Sequence, residues 1–134
     1  YFTVQDLTEM HAKMHRLAVQ AGGAIDGIWF CPHTAADNCD CRKPKPGMIC
    51  DILERFKADP AETWLVGDSL RDLQAVDAAG GKSALVLTGK GKKTLSEHEN
   101  ELPENTQIFD NLLAFSQYIM QETAQDRADG QANP

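Results

Sequence analysis

Apolar residues recur along this chain at helical spacing in some stretches and as short continuous runs in others. The alternation of the two predicts its elements. Leu7, Met10, Met14, Leu17 and Ala18 fall three or four apart, the spacing of one helix face. Thr3, with Asp6 three residues on, is a capping signal at the start, and Gly22-Gly23 ends the helix. Ile25 to Cys31 reads as a strand. Met48, Ile49, Ile52, Leu53 and Phe56 return to helical spacing and stop at Asp59-Pro60. Thr63-Trp64-Leu65-Val66 has the unbroken apolar character of a buried parallel strand. A helix with Asp72, Leu73, Val76 and Ala79 follows and closes on Gly80-Gly81. Lys82 to Leu87 is the next strand, Thr88 to Thr94 a flexible basic loop, Gln107 to Phe109 a last short strand, and Leu112 to Met120 a closing helix.

This alternation predicts an α/β fold, a Rossmann-like three-layer α/β/α arrangement with a mostly parallel sheet. The chain's 134 residues, 42% of them hydrophobic, suffice for one core. Residues 1–122 are expected to form the domain. Residues 123–134 are polar and rich in small side chains, and are expected to be a disordered tail.

Charge narrows the partners. Thirteen basic against 20 acidic residues give a net charge of −7, which argues against nucleic acid or an anionic membrane as partner. No apolar run approaches the ~18 residues of a membrane span. Three of the four cysteines cluster with a histidine, a pattern of reduced thiols, metal and cytoplasm rather than of disulfides. Cys50, at the start of a helix pattern, reads as a small core residue. His11 and His15 lie four apart with no acidic third ligand nearby, and read as surface residues.

The cluster is Cys31, His33, Cys39 and Cys41, spaced C-x-H-x5-C-x-C. Thiolate sulfur and imidazole nitrogen are the donors that tetrahedral zinc takes, and a Cys3His set leaves no open position, so the metal is expected to be structural. Pro32 stiffens the first ligand pair and Asp37-Asn38 supplies a turn before the second. The loop spans 31–41 and leads directly into Arg42-Lys43-Pro44-Lys45-Pro46-Gly47. Three cations held by a metal loop and two prolines form a candidate anion site in an otherwise acidic chain.

A second candidate lies at Gly67-Asp68-Ser69-Leu70-Arg71-Asp72, at the tip of the apolar strand. Gly67 permits a tight turn. Asp68 then presents a hard carboxylate suited to Mg2+, and Asp72, one helical turn on, can reach the same region or brace a cation there. The alternative for Asp68 is a helix N-cap. In parallel sheets ligands bind beyond the C-terminal ends of strands, so the basic loop and Asp68 can share one site. Magnesium with Arg and Lys suits phosphoryl transfer. The Thr88–Thr94 stretch lacks the G-x4-G-K-[ST] spacing of a nucleotide cradle.

These residues together, Cys31-Pro32-His33 … Cys39-Asp40-Cys41-Arg42-Lys43-Pro44-Lys45-Pro46-Gly47-Met48 and then Gly67-Asp68-Ser69-x-x-Asp72, resemble the D-glycero-D-manno-heptose 1,7-bisphosphate 7-phosphatases of the haloacid dehalogenase superfamily. The resemblance runs from Tyr1 to about residue 120. It implies zinc at Cys31, His33, Cys39 and Cys41, substrate recognition by Arg42, a phosphoryl contact from Lys43 and a Mg2+ ligand in Asp68. The implied substrate is a phosphorylated heptose destined for lipopolysaccharide core, in the cytoplasm. The family's D-x-D-G-T motif, which carries the aspartate nucleophile of an aspartyl-phosphate mechanism, and its Thr-Asn-Gln phosphoryl-binding motif are not among these 134 residues. The first strands of the fold are therefore expected to be missing, and the chain by itself is expected to be inactive. The alternatives are a histidinol-phosphate phosphatase, which shares the zinc loop, and a zinc-stabilised binding module without catalysis.

Overall fold

The computed structural model describes residues 3–131, with the side chains of residues 3–125. The chain divides into two compact units, Tyr1–Phe30 and Cys31–Pro134. In the first, helix α1 (Val4–Gln20) starts at a complete capping box: Thr3 N–H donates to Asp6 Oδ2 at 2.7 Å, and Asp6 N–H donates to Thr3 Oγ1 at 3.1 Å. The His11 and Phe30 rings lie 6.1 Å apart, tilted by 51°. Ile25–Cys31 is not a strand. An apolar run becomes one only where a neighbouring backbone takes its N–H and C=O groups, and all three strands among the described residues lie later in the chain.

The second unit holds α2 (Gly47–Phe56), β1 (Trp64–Gly67), α3 (Leu70–Ala78), β2 (Lys82–Val86), α4 (Gly91–His98), β3 (Gln107–Phe109) and α5 (Leu112–Gln131). The strands form a parallel sheet in the order β1-β2-β3. Trp64 pairs with Lys82 and Gly67 with Leu85, while Ala84 pairs with Gln107 and Val86 with Phe109. Central β2 carries the buried run Ser83–Val86, as a strand covered on both faces should.

Alternate residues of β1 mark the layers. Leu65 packs against the core of Ile49, Leu53, Ala75 and Val76, which belongs to α2 and α3. Its neighbour Trp64 meets Phe115 and Tyr118 of α5 edge-on, with ring centres 5.7 and 6.1 Å away. Successive strand side chains point to opposite faces, so α2/α3 and α5 sandwich the sheet.

Three further expectations are corrected. The basic stretch Thr88–Thr94 is mostly helix: only a turn separates β2 from α4, which begins at Gly91. Cys50 is exposed, because it sits one residue, and so about 100° of helix, from the buried Ile49. Helix α5 continues past Met120 to Gln131, over part of the stretch expected to be disordered. Its Ala, Gln, Glu and Arg are good helix formers, and Thr123 folds its hydroxyl back onto the Ile119 carbonyl. Residues 132–134 lie outside the described residues. No helix among the described residues is long and apolar enough to cross a membrane.

Candidate metal loop and phosphoryl-binding site

The 31–41 loop closes on itself through short-range polar groups. Thr34 N–H and its hydroxyl both donate to Asp37 Oδ2, at 2.6 and 2.8 Å, around a single 3-10 turn. Asn38 then takes the left-handed conformation, φ 47°, which Asn tolerates better than most residues. This reversal brings the second ligand pair back onto the first. Cys41 Sγ lies 3.3 Å from Cys31 Sγ, 3.4 Å from Cys39 Sγ and 3.2 Å from His33 Nδ1. Cys31 Sγ lies 3.6 Å from Cys39 Sγ and 3.7 Å from His33 Nδ1.

A tetrahedron with metal–sulfur arms of about 2.3 Å spaces its corners roughly 3.5–3.8 Å apart. The five separations above, 3.2–3.7 Å, lie close to that figure, and all four atoms lie within 4.8 Å of one another, so this set could hold a zinc ion. The thiols share their protons unevenly. Burial acts to raise Cys31, but the His33 backbone, the Cys41 thiol, the His33 ring and Cys39 outweigh it and bring it down to about 6. Cys41, bonded to Cys31 and Cys39, is pushed up to about 12. His11 and His15 belong to no such group among the described residues.

The three cations behind the loop have three different employments. Lys45 Nζ donates to Asn38 O at 3.0 Å, to Asn38 Oδ1 at 2.9 Å and to Asp40 Oδ1 at 3.4 Å, so it pins the turn. It is part of the loop's own structure rather than a free cation. Arg42 Nη1 donates to the His33 carbonyl at 3.1 Å, which ties the exposed guanidinium to the ligand loop. Gly47 N–H donates to Asp40 O at 3.1 Å, and a Cβ at Gly47 would fall on that carbonyl; only glycine lets α2 start so close to the loop. Lys43 alone reaches across to the second motif.

There Lys43 Nζ lies 2.5 Å from Asp72 Oδ1, and Ser69 Oγ donates to Asp72 Oδ2 at 2.6 Å. Burial acts to raise the Asp72 carboxyl. The Lys43 and Ser69 hydrogen bonds, with the charges of Lys43 and Arg71, more than offset this and hold it below the ordinary carboxylate range. Asp68 does not cap α3; Ser69 occupies the N-cap position. Asp68 Oδ2 accepts from Lys90 N–H at 2.9 Å, and Oδ1 has no protein partner among the described residues. One oxygen of a half-buried carboxylate is thus available to a hard cation at the end of β1, which fits a Mg2+ ligand.

The structure therefore joins the two motifs that the sequence singled out, through Lys43 and Asp72. Sequence reasoning missed Ser69, Gly89, Lys90 and Thr94. The last three lie more than twenty residues from Asp68, and no local spacing signals their contact.

Comparison with known proteins identifies the family. A family model described as HAD-hydrolase-like matches residues 40–115. The D-glycero-beta-D-manno-heptose-1,7-bisphosphate 7-phosphatase of Neisseria meningitidis serogroup A is 78% identical over 129 residues, covering 96% of this chain and 69% of the relative. The chain belongs to this family of HAD-like hydrolases. The family relative from Bordetella bronchiseptica is 47% identical over 121 residues, covering 90% of this chain and 66% of the relative. The crystal structure of the B. bronchiseptica D,D-heptose 1,7-bisphosphate phosphatase, complexed with magnesium and phosphate, superposes with a TM-score of 0.85 at 47% identity over 90% of this chain and 66% of that one. The Burkholderia thailandensis enzyme gives 0.70 at 45% identity. The chain thus spans about two thirds of the length of the family members it matches.

Proposed function

We propose that this chain forms the zinc-clamped phosphoryl-binding part of a cytoplasmic phosphatase that removes the C7 phosphate of D-glycero-β-D-manno-heptose 1,7-bisphosphate, in heptose supply for lipopolysaccharide core. The observation that carries this reading is the 2.5 Å pairing of Lys43 with Asp72, which brings the cation of the metal loop to the first turn of α3, the helix that follows Asp68. A phosphoryl group at the C-terminal end of β1 would then meet an ammonium on one side and a carboxylate-held cation on the other.

Each residue has a part. Cys31, His33, Cys39 and Cys41 hold a structural zinc ion that fixes the loop. Lys43, aimed by Asp72, contacts the transferring phosphoryl and offsets its charge. Arg42 has guanidinium donors beyond the one given to His33, and offers them to the substrate. Asp68 is a Mg2+ ligand; magnesium bound there would draw charge from the phosphoryl oxygens. The nucleophile motif of the family is not among these 134 residues, so what this chain contributes is binding, orientation and charge.

Calorimetric titration of the zinc-loaded chain with heptose 1,7-bisphosphate, with and without Mg2+, tests the reading. The expected result is Mg2+-dependent binding, preferred over histidinol phosphate and lost in Lys43→Ala. A preference for histidinol phosphate would replace the substrate. Absence of any Mg2+-dependent binding would favour a binding module without phosphatase chemistry.

A further inference from the structure

The turn between β2 and α4, Thr88-Gly89-Lys90, and the first turn of α4 have no part in the function proposed above, yet together they touch Asp68 at two points. Lys90 N–H donates to Asp68 Oδ2 at 2.9 Å, and the Thr94 hydroxyl donates to the Asp68 backbone carbonyl at 2.8 Å. Thr94 is itself buried, with 6% of its surface exposed, so its hydroxyl needs a partner, and it finds that partner in Asp68. Gly89, just before Lys90, sits at φ +56°, a conformation that disfavours any side chain, and a Cβ there would fall on Asp68 Oδ2. The turn itself is closed by Gly91 N–H donating to Thr88 O at 2.9 Å.

The consequences for Asp68 are geometric. Its backbone is held by Thr94 and one carboxylate oxygen by Lys90 N–H, so rotation of the carboxylate is restricted. The other oxygen, Oδ1, is left without a protein partner among the described residues. A metal-ligating carboxylate needs this treatment, since a freely turning one must be ordered when the cation binds. We infer that Gly89, the Lys90 amide and Thr94 form a positioning clamp that presents Asp68 Oδ1 to a divalent cation. The inference rests on the reading of Asp68 as a Mg2+ ligand, and it assigns the β2–α4 turn to the site as positioning rather than catalytic residues.

The test is Mn2+ affinity of the zinc-loaded chain, from the electron paramagnetic resonance of free Mn2+, with zinc content and urea stability measured alongside. Gly89→Ala is expected to weaken Mn2+ binding about tenfold or more, the usual effect of removing an outer-shell support. Thr94→Val is expected to weaken it in the same direction, Thr94→Ser to restore it, and zinc content to stay unchanged in all three. Asp68→Asn serves as the reference. Unchanged Mn2+ affinity in folded Gly89→Ala and Thr94→Val, with Asp68→Asn weakening it, would overturn the clamp while leaving the metal role of Asp68 intact. Affinity unmoved by Asp68→Asn would overturn both. If Gly89→Ala does not fold, the Thr94 pair decides: a loss in Val that Ser fails to restore overturns the part given to the hydroxyl.

Discussion

The ammonium of Lys43 and the carboxylate of Asp72 meet at 2.5 Å, although 28 residues separate them. The Lys43 side chain is 38% exposed and that of Asp72 12%. The carboxylate is therefore the more deeply committed partner, and it has Ser69 as a second donor. A cation paired with a buried carboxylate is held in one place; a lysine on an open loop would wander.

Asp72→Asn should destabilise the chain by about 1–2 kcal/mol in urea unfolding. Charged hydrogen bonds contribute about 1.5–3 kcal/mol, and the exposure of Lys43 reduces that. Zinc content should be unchanged, because the loop ligands do not depend on Asp72. A variant as stable as the parent would show that the pair contributes nothing net.

The pH dependence follows from the lowered pKa of Asp72. A carboxyl held below its unfolded value binds fewer protons folded than unfolded, so its contribution is complete above the unfolded pKa, about 4. It is lost as pH falls through the lower folded value. Stability measured from pH 6 downward should therefore begin to fall below about pH 4, with a smaller slope in Asp72→Asn. Equal slopes in both proteins would remove Asp72 from the acid transition.

Cys39→Ser should release the zinc ion. Elemental analysis should give one zinc per parent chain and little in the variant, and tryptic cleavage after Arg42 should quicken as the loop loosens. Retention of a full equivalent of zinc would mean that Cys39 is not a ligand.

Asn38 holds a left-handed backbone and accepts two hydrogen bonds from Lys45. Asn38→Ala should cost about 1–2 kcal/mol, since it loses the side-chain acceptor and pays the left-handed penalty. Asn38→Gly should cost less, because glycine removes that penalty. If the two variants melt together, backbone conformation is not what Asn38 supplies.

Much of the site was legible because its chemistry is local. Four ligands within residues 31–41 must share a neighbourhood whatever the fold does, and the Arg42-Lys43 pair is covalently attached to them. The apolar run at β1, followed by Gly67-Asp68, placed a carboxylate at a strand end for the same reason. The failures were of another kind. Ile25–Cys31 had a strand's composition, but strand formation depends on a neighbouring backbone that a periodicity does not report. Cys50 was misplaced by one position on α2, where a single residue separates core from solvent. The 88–94 stretch looked loop-like from its Gly and Lys content, yet helix α4 starts inside it.

By itself, then, the sequence determined which donors could bind a metal and which residues could handle a phosphoryl group, since these depend on residue type and short spacing. Only the tertiary structure decided which cation serves which purpose. It committed Lys45 to Asn38, directed Lys43 to Asp72, and brought Lys90 and Thr94 to Asp68 across the parallel β1–β2 pair. The reason is that a charge or hydroxyl takes its role from the partner it meets, and partners distant in the chain are set by how the sheet and its helices pack.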